Sequence, residues 1–153
     1  MSVYEKLSSL GITLNAPAVP AAAYVMYVQT GKLVFLSGHL AKNADGSIIV
    51  GKLGAGLTTE QGQQAARNIA VDLMATLQDA CGGDLTQVKR IVKVLSLVNS
   101  SPDFSEHHLV TNGCSELLGE VFGDAGKHAR SAFGVAAIPR GACVEIEMIV
   151  ELA

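Results

Sequence analysis

The chain has 153 residues and a net charge of −3, and 49% of its residues are hydrophobic whereas only 16% are charged. A chain of this length is expected to form a single domain, residues 1–153, with a substantial core. Nucleic acid is not expected to be the main partner, because phosphate binding needs clustered Lys and Arg and aromatic residues make up only 5% of the chain. The excess of apolar over charged residues favours a homo-oligomer, since association hides apolar surface that a monomer would expose.

The cysteine pattern indicates a reducing environment. Cys81, Cys114 and Cys143 form no CxxC pair and are odd in number, which argues against a disulfide framework. The N-terminus lacks the basic-then-apolar pattern of a secretory signal, and no apolar run reaches the ~18 residues of a membrane span. The sequence therefore predicts a soluble, cytoplasmic protein that does not associate with membranes.

The first third of the chain predicts a short helix followed by β structure. Ser2 caps a helix that extends to Leu10 and ends at Gly11. Two β-rich runs are then separated by Thr30-Gly31-Lys32, which is typical of a hairpin. Asp45-Gly46 predicts a turn before a further short strand.

Two helices and three strands are predicted in the remainder. A capping box of Thr58 and Gln61 begins a long helix that Gly82-Gly83 ends, and a β-branched strand follows over Arg90–Val98. Ser101-Pro102-Asp103 is predicted to open a second helix, which stops at Gly123. The last two strands are predicted at about Arg130–Ala137 and Cys143–Leu152.

This order of elements favours an α+β fold, in which two helices pack on one face of a mixed sheet. The other face of the sheet must then be covered in another way. Neighbouring subunits are the expected cover, in agreement with the apolar composition.

The closing strands carry the most informative charges. Along the last strand, Glu145 and Glu147 alternate with apolar residues, a pattern that solvated glutamates on one strand face would also explain. If the last two strands pair as a hairpin, Arg130 lies opposite Val150 and about 17 Å along the strand from Glu145. On that assumption the two charges could share a site only if different subunits supply them.

Other candidate sites are weaker. The four histidines, His39, His107, His108 and His128, show no recognised ligand spacing, so no metal site is predicted. Ser37 lacks the GxSxG setting of a hydrolase nucleophile. The residues alone therefore indicate an oligomeric α+β domain with an arginine suited to binding an anion.

Three separated blocks carry a family resemblance. The segment "ARSAFGVAAIPRGACVEIEMI" resembles the closing signature of the Rid superfamily, the YjgF-like reactive-intermediate deaminases also labelled L-PSP endoribonucleases. "LVFLSGHL" resembles the "SGQ" strand of that family, and "VNSSPDF" resembles the segment before its second helix. The likeness extends from about Tyr24 to Leu152.

The resemblance implies a chorismate-mutase-like fold and a homotrimer with three clefts at its subunit interfaces. In the deaminating members these clefts hydrolyse imines and enamines, such as 2-aminoacrylate, to 2-keto acids and ammonia without a cofactor or metal. By resemblance, Arg130 binds the carboxylate of the substrate and Glu145 positions or activates the attacking water. Tyr24, Ser37 and Gly38 match residues that line the cleft.

The chain also departs from the family pattern. Ala132 stands where many members have a cysteine, His39 replaces a glutamine, and His108 falls near a common asparagine. Two alternatives to imine hydrolysis therefore stay open. The clefts could bind small carboxylates or partner proteins without turnover, or the protein could be a ribonuclease, which its acidic charge and few aromatic residues disfavour.

Overall fold

The computed structural model describes all residues, 1–153, and contains three helices and seven strands. The helices are α1 (Val3–Ser9), α2 (Thr59–Ala80) and α3 (His107–Phe122). The strands are β1 (Tyr27–Thr30), β2 (Leu33–Leu40), β3 (Lys52–Leu53), β4 (Gly56–Leu57), β5 (Val88–Asn99), β6 (Ala129–Val135) and β7 (Val144–Leu152).

The helix starts are fixed by side-chain caps, as the sequence predicts for α1 and α2. Ser2 accepts a hydrogen bond from the backbone N–H of Glu5, and Glu5 returns one, which completes a capping box. Thr58 and Gln61 form the same reciprocal pair at the start of α2. These bonds satisfy donors that a helix N-terminus leaves free, so both helices begin where predicted.

The main sheet has five strands in the order β1-β2-β7-β5-β6, while β3 and β4 form a separate small parallel pair. Only the pair β5 and β6 is parallel in the main sheet; its other pairs are antiparallel. Helices α2 and α3 pack against each other and against one face of this sheet. Their contact encloses a core of 28 buried residues that includes Ile69, Leu117 and Ile146. The predicted α+β architecture is therefore confirmed.

The predicted hairpin between the last two strands is wrong. β5 lies between them and pairs in parallel with β6 and antiparallel with β7. Arg130 is therefore in register with Val94 of β5, and Val94 with Met148 of β7, so Arg130 does not lie opposite Val150. In the sheet β5 lies between β7 and β6, a position that the hairpin assumption gave to no strand.

Two local predictions also need correction. The second helix begins at His107 and not at Ser101, because Ser101 donates its N–H to Leu53 and its carbonyl accepts from Phe104 in a separate turn. The turn at Asp45-Gly46 is present, but the predicted strand after it is reduced to isolated bridges at Ile48 and Val50.

The second face of the sheet is not covered by the chain itself. Large apolar side chains on this face are exposed to a third or more of their area, among them Val28, Phe35 and Phe133. Lys93, Leu95 and Leu97 of β5 lie on the same side. None of the helices has the length and apolar character needed to cross a membrane.

Candidate functional site

One group of the predicted site residues comes together where β2 and β7 meet. The pairing register of these strands shifts between Leu36 and His39, which leaves Ser37 and Gly38 in an irregular stretch of β2. A Cβ atom built on Gly38 would lie 2.8 Å from Oε2 of Glu145, so the absence of a side chain there makes room for the carboxylate. Such irregularities recur next to active sites, where they redirect a side chain or the backbone.

The carboxyl group of Glu145 is perturbed by its surroundings. Its neighbours Val144 and Ile146 point into the core, whereas Glu145 projects from the open face and is half-buried there. Burial raises the pKa of Glu145, and the negative charge of Glu147 on the same face raises it further. A carboxyl group with a raised pKa is a better proton acceptor when it is ionised, as a general base requires.

Tyr24 and Ser37 belong to the same region. Tyr24, exposed to 46% of its area, lines a small cleft together with Gly38 and Arg140. The Ser37 hydroxyl donates a 2.6 Å hydrogen bond to the carbonyl of Val25 and so ties β2 to the segment that carries Tyr24. With its proton committed to a backbone carbonyl, Ser37 has a structural role, and it does not itself line this cleft.

His39 supports this region from the helix side of β2, a structural role that the sequence did not predict. Its ring is buried, with Nδ1 2.7 Å from the carbonyl of Ser37 and Nε2 2.8 Å from the hydroxyl of Thr76 on α2. A carbonyl can only accept, so Nδ1 carries the proton and Nε2 accepts from Thr76. Burial lowers the pKa of His39 and favours this neutral form. The substitution of the family's glutamine at this position was the available signal.

Arg130 lies elsewhere, on β6 and on the helix-covered side of the sheet. Its Nη1 donates to Oδ1 of Asn112 at 2.9 Å and to the hydroxyl of Ser115 at 3.2 Å. Its Nη2 donates to the carbonyl of His108 at 3.1 Å. All three acceptors lie on α3, so the guanidinium is fixed in the space between the edge strand and this helix.

The guanidinium retains donors for a ligand. Of its five N–H groups, two on Nη1 and one on Nη2 are used by α3. The N–H of Nε and one N–H of Nη2 have no protein partner. Adjacent guanidinium donors of this kind can bind the two oxygens of one carboxylate in parallel.

Arg130 and Glu145 do not meet within one chain. Glu145 is in register with Leu97 of β5, and Leu97 with Phe133 of β6, which is three residues from Arg130. The two backbone positions are thus about 10 Å apart across the strands and about 10 Å along them, by standard sheet spacings. Their side chains also project from opposite faces of the sheet.

Two small residues follow Arg130 along β6. Ala132 and Gly134 follow Arg130 on the same face of β6 and present little or no side chain. A Cβ at Gly134 would come within 2.6 Å of both Ser100 Oγ and His107 Nε2, which are themselves hydrogen-bonded at 3.0 Å. Gly134 is therefore required for the close approach of α3 to β6.

The cysteines and histidines do not form a metal-binding cluster. Cys114 and Cys143 are buried packing residues, and burial raises the pKa of these thiols to about 12 and about 11. All three cysteines are free thiols. No three His, Cys, Asp or Glu side chains lie together in an arrangement that could hold a metal ion.

Comparison with known proteins agrees with the mixed sheet and its two packed helices, which define a chorismate-mutase-like α+β protein. Residues 5–152 match the family model described as "YjgF/chorismate mutase-like, putative endoribonuclease". The chain therefore belongs to the YjgF/RidA family, as the resemblance of its sequence motifs predicts.

Individual relatives show how close the likeness is. Protein TCP17 of Trypanosoma cruzi is 49% identical over 151 residues, covering 98% of this chain and 94% of that protein. The 2-iminobutanoate/2-iminopropanoate deaminase of Dermatophagoides farinae is 31% identical over 131 residues, covering 86% and 87%. The crystal structure of Atu1372 from Agrobacterium tumefaciens, a protein of unknown function, has 40% identity and a TM-score of 0.89, covering 99% of this chain and 93% of that one.

Proposed function

We propose that the protein hydrolyses 2-imino acids to 2-keto acids and ammonia in a cleft shared between subunits. The observation that carries this proposal is the pair of adjacent, unpartnered N–H donors on the fixed guanidinium of Arg130. They are suited to a carboxylate, which every 2-imino acid carries beside its imine group. Membership of a family that includes named imine deaminases supports the same chemistry.

Glu145 is the proposed general base. Its carboxylate would accept a proton from a water molecule as the water oxygen forms a bond to the imine carbon and the C=N electron pair moves onto nitrogen. In the second step the protonated carboxyl returns its proton to nitrogen, and the carboxylate then carries the proton of the new hydroxyl group to nitrogen as well. The C–N bond breaks as the carbonyl forms, and ammonia leaves. The raised pKa of Glu145 suits a group that must both accept and return this proton.

Assembly of the site requires a second copy of the chain. Arg130 lies on an edge strand, and Tyr24, Ser37, Gly38 and Glu145 form a separate group toward the other edge of the sheet. The family's typical homotrimer would bring the Arg130 side of one subunit against the Glu145 group of the next. The exposed apolar face, which includes Phe35 and Phe133, is consistent with burial between subunits.

The direct test is a hydrolysis assay on freshly generated 2-iminobutanoate and related 2-imino acids, in which the release of ammonia is measured. The wild-type protein should accelerate ammonia release, and Arg130→Ala should abolish the acceleration. Imine decay that is unchanged by the wild-type protein across short, branched and aromatic 2-imino acids would contradict the proposal.

A further inference from the structure

Arg130 is held by a chain of hydrogen bonds that ends at a histidine outside the proposed site. Ser115, which accepts from Nη1 of Arg130, lies 2.9 Å from Nε2 of His128. The other ring nitrogen of His128, Nδ1, lies 2.7 Å from the carbonyl of Gly126. His128 lies immediately before β6 and two residues before Arg130, so the hydrogen bonds link residues at and just before the start of this strand.

The acceptors determine the direction of each bond. The carbonyl of Gly126 can only accept, so Nδ1 of His128 carries the proton and Nε2 is left as an acceptor. The Ser115 hydroxyl therefore donates to Nε2. With its proton directed to His128, Ser115 presents its lone pairs to Arg130, which can only donate.

The surroundings favour the neutral ring on which this arrangement depends. His128 is half-buried among α3, the turn at Gly126 and β6, and this burial lowers its pKa. The hydrogen bond to the carbonyl of Gly126 acts against this lowering, and the charge of Arg130 adds to it. The nearest acids along the chain do not oppose it, because Asp124 is paired with Lys127 at 2.9 Å and both are exposed.

We propose that His128 and Ser115 are positioning residues that orient the guanidinium of Arg130 toward a carboxylate ligand. Because the Ser115 O–H donates to His128, the Ser115 oxygen is free to accept from Arg130. Both N–H groups of Nη1 therefore stay hydrogen-bonded to α3, at Ser115 and Asn112. The donors on Nε and Nη2 then remain adjacent and free. The hydrogen bonds from Arg130 to Ser115 and from Ser115 to His128 form a relay. The role of this relay in ligand binding rests on the proposed function, whereas its existence does not.

The experiment measures both the mobility of Arg130 and its binding of a carboxylate. Rotation of the Nη groups of Arg130 is followed by nitrogen-15 NMR, and the dissociation constant of 2-oxobutanoate by calorimetry. The variants are Ser115→Ala, His128→Leu and His128→Gln, whose amide oxygen can still accept from Ser115. Glu116→Gln is the control, since Glu116 is the exposed neighbour of Ser115 on α3.

The relay predicts slow Nη1 rotation in the wild type and in Glu116→Gln, faster rotation in Ser115→Ala and His128→Leu, and partial recovery in His128→Gln. The two disruptive variants should bind 2-oxobutanoate roughly fivefold more weakly, the value of about one hydrogen bond. The double variant Ser115→Ala/His128→Leu should be no weaker than Ser115→Ala, because His128 acts through Ser115.

Equal Nη1 rotation in the wild type and all variants would overturn the relay. Faster rotation without any loss of 2-oxobutanoate affinity would overturn the role of Ser115 and His128 in positioning Arg130 for the ligand. A wild-type protein that neither binds 2-oxobutanoate nor hydrolyses imines would instead contradict the proposed function. In that case the NMR comparison still decides whether the relay exists. Ser115→Ala, a small substitution, keeps the test valid if His128→Leu does not fold.

Discussion

Arg130 and Glu145 lie on opposite faces of one sheet, on strands that β5 separates. Arg130 is held by α3, whereas Glu145 faces Gly38 on the side that no helix covers. On the proposed function, a single chain therefore carries two incomplete halves of a site. This separation determines which variants should affect ligand binding and which should affect chemistry. It also determines how subunits with different substitutions can be combined to restore activity.

Glu145→Gln should separate catalysis from binding. The amide cannot accept the proton of the attacking water, so the rate of imine hydrolysis should fall about 10²- to 10⁴-fold. Because Arg130 is the residue proposed to bind the carboxylate of the ligand, the dissociation constant for 2-oxobutanoate should change little. Hydrolysis that persists at the wild-type rate would remove Glu145 from the mechanism, and binding without turnover in the wild type would favour a carboxylate-binding protein.

Glu147→Gln should shift the pH dependence of hydrolysis. The charge of Glu147 is one of the causes that raise the pKa of Glu145, so its removal should lower that pKa. A base acts above its pKa, and the acid limb of the kcat/KM profile should therefore move to lower pH. An acid limb that stays in place would show that another group controls it.

Gly38→Ala should impair chemistry more than stability. The new Cβ would lie 2.8 Å from Oε2 of Glu145, at the flexible end of the side chain, so the carboxylate must move. A displacement of this size should lower kcat roughly 10- to 100-fold.

Gly119→Ala on α3 is the matched control for this substitution. Its Cβ would meet nothing within 4 Å, so the variant should keep full activity and gain up to about 1 kcal/mol of stability from helix propensity. Equal activity in the two glycine variants would contradict the role given to Gly38.

Stability should decrease as the pH falls below the ordinary pKa of histidine, near 6.5. Burial lowers the pKa of His39 in the folded state, so the unfolded chain binds more protons in this range and is favoured as the pH drops. Burial also lowers the pKa of His107 and His128, so these residues should contribute to the same loss of stability.

The contribution of His39 can be isolated with His39→Gln. Chemical unfolding at about pH 7.5 and pH 6, at one fixed protein concentration, should show a smaller pH-dependent loss of stability in this variant than in the wild type. These pH values lie above the usual titration range of carboxyl groups, which limits the opposite effect of Asp72 and Glu145, whose pKa burial raises. An unchanged loss would show that His39 is not the buried group that titrates.

Local sequence patterns predicted most of the elements because their causes are local. The capping boxes at Ser2 and Thr58 and the turn at Gly31 act over three or four residues, and the corresponding elements formed where expected. Strand order is set by long-range packing, which no short segment contains. The insertion of β5 between the last two strands was for that reason missed, and the assumed hairpin was wrong.

The candidate site could be predicted only in part for the same reason. Alternation along β7 assigned Glu145 to a face, and the family motifs identified the residues, but neither shows what each side chain contacts. The bonds from Arg130 to Asn112 and Ser115 join residues 15 or more positions apart. His39 and His128 appeared in the sequence only as departures or isolated histidines, because their roles depend on backbone carbonyls that folding brings close.

The central claim, that each site combines Arg130 of one subunit with Glu145 of another, is tested most directly by subunit complementation. Arg130→Ala and Glu145→Gln proteins, each inactive alone, are unfolded, mixed in equal amounts and refolded, with each protein refolded separately as the control. In a trimer with shared clefts, every mixed trimer regains one intact site, so random assembly should restore roughly a quarter of the wild-type activity. Mixed trimers that form but remain inactive would contradict the account.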